Sequence, residues 1–193
     1  MFKHYNIRDY TMLMEIEIVP PNVVASERKQ FNSSKRELKQ IIYKYYYFKG
    51  YFNDKSITDS DLKYITKGCS PVVRTNGKEI QKFSIHHIKP LNCGGTTHPD
   101  NLIPLPKCFH QFVHDKIITP QIEGLKIGDK KVLVGIPDFS KISLEMMNDS
   151  GFRIQYFKWL VDEYKIMPKE VKEKTKSKEI FDTWYNNKFN NGK

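Results

Sequence analysis

Five of this chain's six histidines stand within 29 consecutive residues, His86 to His114, inside the stretch FSIHHIKPLNCGGTTHPDNLIPLPKCFHQFVHDK. His110 and His114 are spaced i, i+4, so on a helix they share one face a turn apart. That spacing lets two imidazoles reach a single metal ion. Phe109, Phe112, Val113 and Ile117 supply an apolar stripe beside them, giving the helix a core face and a separate histidine face. Two solvated or capping histidines are the plainer alternative. His86 and His87 follow the strand-like residues Phe83 and Ile85. Strand neighbours point to opposite faces, so both serve one site only if the strand ends or twists at Ile88-Lys89-Pro90. Either one is a ligand and the other a base, or one is a core residue and the other a surface residue.

Taken in order, His86-His87-Ile88-Lys89-Pro90, Gly94-Gly95, Asn101-Leu102-Ile103-Pro104-Leu105 and His110-Gln111-Phe112-Val113-His114 form a composite pattern: HHIxP, GG, NLxxL, HxxxH. Over about residues 82–118 this resembles the HNH (ββα-metal) nucleases, particularly the histidine-rich branch that includes the colicin-type DNases. The resemblance implies an α+β fold with a ββα-metal core. It implies metal ligation by His86, His110 and His114, a general base at His87, and a loop-pinning side chain at Asn101. The activity implied is metal-dependent endonuclease cleavage of phosphodiester bonds, mainly in DNA, with RNA as an alternative substrate.

The chemistry suits those residue types. Phosphodiester hydrolysis needs a nucleophilic water, neutralised phosphate charge and help for the leaving oxygen. Neutral imidazole accepts a proton near pH 7. Three protein ligands leave a metal position open for substrate. Three imidazoles with no matched carboxylate favour zinc, nickel or manganese; magnesium remains open, because phosphate and water can supply its oxygens.

The chain departs from many HNH proteins in lacking CxxC pairs. Cys69, Cys93 and Cys108 are odd in number and fit neither a disulfide framework nor a four-cysteine zinc ribbon. Cys93 and Cys108 read as small buried apolar residues before they read as ligands. His98, before Pro99, reads as a turn or surface residue. Thirty-two basic residues, all but five of them lysine, face 22 acidic ones, a net charge of +10 that attracts polyanions. Arg74 can clamp the scissile phosphate, or be a hairpin surface charge. Lys82, Lys89 and Lys107 are candidate backbone contacts, each competing with plain solvation. Nothing resembles a base-reading helix, so sequence preference should be weak.

Around the motif the patterning predicts a strand at 12–19 stopped by Pro20-Pro21, and a capping box Ser34–Glu37 opening a helix. That helix carries the stripe Leu38, Ile41, Ile42, Tyr45, Tyr46 and Phe48. The tyrosines 45–47 read as core residues ahead of base-stacking ones. A short helix follows at 59–67. Val72–Arg74 and Glu79–Ile85 form a hairpin on Asn76-Gly77. Further expectations are a strand at Leu102–Leu105, a helix from Pro106 to about Ile118, a strand at 131–136, and a helix through Phe152, Tyr156, Phe157, Leu160, Val161 and Tyr164 ended by Pro168. Residues 169–179 read as a solvated helix or linker, with a last helix at Ile180, Phe181, Trp184, Tyr185 and Phe189.

The organisation expected is an N-terminal strand–helix extension (1–68), an HNH core (69–140) and a C-terminal helical extension (141–193). No stretch has the length of a membrane span, and Met1–Tyr10 has no apolar signal core. A cytoplasmic chain, or one secreted by a non-classical route, is expected. The stretch after the motif is vaguely similar to bacterial toxin modules, which would imply an acidic immunity partner. A phage or mobile-element nuclease fits as well. A non-catalytic nucleic-acid-binding protein with a structural metal is the rival class.

Overall fold

In the computed structural model, which describes residues 3–52, 57–75 and 77–167, helices combine with three two-stranded antiparallel sheets. This is the α+β class. Strand β1 (Thr11–Glu17) buries Met14 and Ile16 and turns Leu13, Glu15 and Glu17 outward, as the alternation predicts. It pairs with β6 (Lys130–Pro137), far along the chain, in the register Met14↔Leu133 and Ile16↔Lys131. Pro20-Pro21 ends β1 as expected.

The patterning gave no warning that Pro21 also opens a helix, α1 (Pro21–Ser33), from the first helical position. No α1 residue is buried, so the segment has no amphipathic period to read. Ser34 is the junction between α1 and α2 (Lys35–Phe48), and its hydroxyl makes no capping bond, so the predicted Ser34–Glu37 box does not form. The capping box in this region belongs instead to Thr58 and Asp61, at the start of α3 (Asp59–Thr66). The stripe on α2 is also rotated. Ile42 and Tyr43 are buried and Tyr46 and Tyr47 pack against the core, whereas Ile41 and Phe48 face solvent, Phe48 being 82% exposed. Tyr45 is exposed beneath the Lys49 ammonium.

The long second hairpin strand is in fact two strands. β2 (Val72–Thr75) pairs with β3 (Lys78–Gln81), with Gly77 at a left-handed φ of 73°; Asn76, the other turn residue, lies outside the described residues. The chain bends at Lys82 and starts β4 (Phe83–His87), which pairs with β5 (Leu102–Pro106). At the bend the Lys82 ammonium meets the buried Asp61 carboxylate at 2.5 Å, and the Lys82 amide donates to the Pro71 carbonyl.

Helix α4 (Lys107–Phe112) begins one residue later than predicted, Pro106 being its N-cap. It runs into a π-helical turn, Val113–Ile118, and then into α5 (Thr119–Ile122). Pro120 lacks an N–H and crowds the carbonyl a turn back, so a regular α ladder cannot pass through it. The widened turn sits just before it. Phe109, Val113, Ile117 and Ile118 are at most 1% exposed. They pack with Phe152, Tyr156 and Leu160 of α7 (Ser150–Tyr164), preceded by the short α6 (Leu144–Asn148). Each such side chain contributes roughly 1.5–3 kcal/mol on burial. That packing anchors the histidine helix from behind. Helix α7 ends at Lys165, in the left-handed region. Pro168, the 169–179 linker and the helix predicted at 180–189 lie outside the described residues. No helix among those described is long and apolar enough to cross a membrane.

Candidate metal centre

The site is assembled by two strands, the loop between them and the helix that follows. β4 and β5 are in register His86↔Ile103 and His87↔Leu102. The connecting loop closes on Asn101, whose side chain uses both ends of its amide. Its Oδ1 accepts from the Lys89 amide at 2.7 Å, and its Nδ2 donates to the carbonyls of Lys89 (2.9 Å) and Thr96 (2.8 Å). The Ile88 amide adds a bond to the Asn101 carbonyl at 2.8 Å. Asn101 therefore pins the loop just beyond His87, as the resemblance implies. Gly94 supplies a left-handed residue (φ 81°) and Gly95 a place where the backbone of Lys89 and Pro90 leaves no room for a Cβ. From outside the motif, α1 clamps the same loop: the Glu27 carboxylate accepts from the Thr97 amide at 2.7 Å.

Alternation along β4 puts Ser84 and His86 on one face, toward α4. The rings of His110 and His114 each lie 4.9 Å, centre to centre, from the His86 ring. The two helix imidazoles approach Nε2 to Nε2 at 3.1 Å, and the Ser84 hydroxyl lies 2.6 Å from His110 Nδ1. One ligand nitrogen from each of His86, His110 and His114 falls within 4.8 Å of the others. Two nitrogens about 2.0–2.1 Å from one shared ion, at tetrahedral to right angles, would stand roughly 2.9–3.4 Å apart. The helix pair meets that spacing.

His86 is fully enclosed, and neither ring nitrogen has a hydrogen-bond partner. A buried imidazole with two idle nitrogens is costly and needs an explanation, of which a bound ion is one. All four motif histidines have lowered pKa values, burial being the largest cause for each. His86 lies well below 6.5, with His110, His114 and His87 adding repulsion. Burial and the His114 charge bring His110 to about 4. His114 is lowered by burial against the raising influence of Asp115. His87 is lowered by burial, and the Glu27 carboxylate opposes the shift. At neutral pH the cluster is uncharged and its lone pairs are available to a cation.

The unfolded chain protonates these histidines near pH 6.5, while the folded chain resists until lower pH. Unfolding therefore takes up protons, and stability falls as pH drops from about 6.5 toward 4. The lowered carboxylates Asp61 and Asp138 lose their contribution only as pH falls to their unfolded value of 3.8 and below, under the window of the histidines. In chelator, the melting temperature should fall between pH 7 and pH 5; a flat profile there contradicts the buried neutral cluster.

His87 stands outside the triad. Its half-buried ring packs on Phe31 of α1, 5.3 Å between centres, with Nε2 enclosed and unpartnered. Of the two roles expected for Arg74, its surroundings are those of a hairpin surface charge. It is 75% exposed on the β2–β3 ribbon and paired to Glu79 at 2.8 Å, because directly opposed residues of a hairpin meet. Lys82 is likewise not a loose phosphate contact, its ammonium being committed to Asp61. Lys89 is half-buried at the pinned loop and Lys107 is exposed at the start of α4. Cys93 is buried as expected, but Cys108 is exposed, and neither belongs to the triad. His98 is exposed and its Nδ1 accepts the Asp100 amide, a turn residue as expected. Sequence reasoning missed Ser84, Glu27 and Phe31. Ser84 had a signal, two residues before His86 on a strand; the α1 residues had none.

Fold and site together define an α+β protein with three histidines close enough to hold one metal ion. Comparison with protein-family models, curated proteins and solved structures gives no match.

Proposed function

We propose that this chain is a metal-dependent endonuclease of the HNH (ββα-metal) type that hydrolyses phosphodiester bonds, mainly in DNA. The observation that carries the proposal is the enclosed, unpartnered His86 facing His110 and His114, with His87 next in the strand but outside the triad. The β4–loop–β5–α4 order and the Asn101 clasp agree with that type. The net charge of +10 suits a polyanionic substrate.

A divalent ion held by the three imidazoles would neutralise phosphate charge and stabilise the leaving oxygen. The protein's own residues do the rest. His86, His110 and His114 offer neutral nitrogens. His87 takes the proton from the attacking water; since Nε2 is enclosed, that role falls to Nδ1. Phe31 and the Asn101 clasp hold the ring and the backbone beneath it. With no base-reading element assigned, cleavage has weak sequence preference.

Plasmid, linear DNA and RNA incubated with the protein and zinc, nickel, manganese or magnesium test this. DNA cleavage with at least one ion, abolished by chelator and restored by adding the ion back, is the expected result. Tight DNA binding without turnover under every ion would instead favour a non-catalytic nucleic-acid-binding protein with a structural metal.

A further inference from the structure

The metal triad explains three of the imidazoles in the cluster, but not the hydroxyl that touches one of them. Ser84 Oγ lies 2.6 Å from His110 Nδ1, a short contact between a half-buried hydroxyl and a half-buried ring. Ser84 and His86 alternate on the same face of β4, so one strand presents both a triad member and this hydroxyl to helix α4. The other nitrogen of the same ring, Nε2, is the one turned toward His114, at 3.1 Å.

We infer that Ser84 is the positioning residue for His110: accepting a hydrogen bond from Nδ1–H, it holds the ring in the tautomer whose Nε2 lone pair faces His86 and His114. The inference rests on the metal-binding reading of the triad. A hydroxyl both donates and accepts. Without an ion it can donate to Nδ1, leaving an Nε2 proton to bridge to His114 across the 3.1 Å gap. With an ion present the ring's one proton would pass, through solvent, from Nε2 to Nδ1, and the hydroxyl would turn to accept from Nδ1–H. Metal-bound histidines are oriented and made more basic by such a partner on the second nitrogen, and its loss costs about 10–100-fold in affinity. A ring without it can turn about its side-chain bonds and offer the wrong nitrogen.

The test has two readouts. Cobalt(II) titration, followed by ligand-field absorption, compares the wild-type chain with Ser84→Ala and Ser84→Thr. Nitrogen-15 spectra of the zinc-loaded wild-type imidazoles report which His110 nitrogen carries the proton. Expected are cobalt binding weakened about 10–100-fold in Ser84→Ala, most of it regained in Ser84→Thr, and a His110 proton on Nδ1 that exchanges slowly with water. Ser84→Ala binding cobalt as tightly as wild type overturns the inference while the metal reading stands. So does a zinc-loaded His110 that ligates through Nδ1, a result that needs no variant to fold. A wild-type chain that binds neither cobalt nor zinc removes the metal reading itself, and this inference with it.

Discussion

His87→Ala should cut DNA about 10²–10⁴-fold more slowly than the wild-type chain, the usual contribution of a positioned general base, while still binding one divalent ion. The separation of these effects is the point. His86, His110 and His114 bring their nitrogens within 4.8 Å of one another, whereas His87 is the next residue on β4 and packs on Phe31 instead. Removing its ring leaves all three ligand nitrogens and the Ser84–His110 contact in place. It takes away the group that accepts a proton from water. Burial lowers the His87 pKa and Glu27 opposes that shift, so the imidazole is neutral and proton-accepting at pH 7. The effect should therefore appear in the single-turnover rate and not in the metal titration. Cleavage by His87→Ala at the wild-type rate removes the base assignment. Loss of the ion along with activity would place His87 among the ligands.

A second large effect is expected where no chemistry occurs. Gly95→Ala should lose more than about 4 kcal/mol of stability, in the range reserved for severe steric or buried-polar disruption, or fail to fold. A Cβ on Gly95 would overlap the Lys89 carbonyl oxygen and lie 2.7 Å from the Lys89 carbonyl carbon and 2.9 Å from the Pro90 oxygen. Every one of these is backbone and cannot swing aside. Making room means moving Lys89, whose amide and carbonyl are two of the three groups the Asn101 side chain clasps. The clasp, the Ile88–Asn101 ladder bond and the approach of His87 would all be disturbed together. Gly77→Ala is the control. It also has positive φ but nothing within 4 Å of an added Cβ, so its cost is the backbone conformation alone, roughly 1 kcal/mol. Urea denaturation of the two variants decides it: similar losses in both would mean that the loop yields.

What could be read from the sequence depended on whether the determining residues lie close together in the chain. Local periodicity made the histidine helix legible, because His110 and His114 lie off the stripe of Phe109, Val113 and Ile117 that the core buries. The same was true of β1, where Met14 and Ile16 alternate with glutamates, and of the Asn101 loop, whose residues form a compact motif. Information carried by distant partners was not legible. β1 finds β6 more than a hundred residues later. Helix α1 buries no residue and so leaves no pattern, yet Glu27 and Phe31 from it hold the loop and the His87 ring. The ion pairs that Arg74 and Lys82 make with Glu79 and Asp61 were likewise not visible in the sequence. The break at Lys82, where a part-buried ion pair sits, and the π turn before Pro120, which lacks an amide hydrogen, are places where simple alternation and 3.6-residue periodicity lapse.

A metal-dependent activity at this site requires one cation to draw together imidazoles from β4 and α4. Crystals of the protein soaked in zinc, with anomalous scattering recorded at the zinc edge, measure this directly. The account predicts one strong peak per chain, about 2.0–2.1 Å from a nitrogen of each of His86, His110 and His114, with His87 beyond bonding distance. No peak between β4 and α4, or an ion held by other side chains while His86 keeps both nitrogens idle, would contradict it.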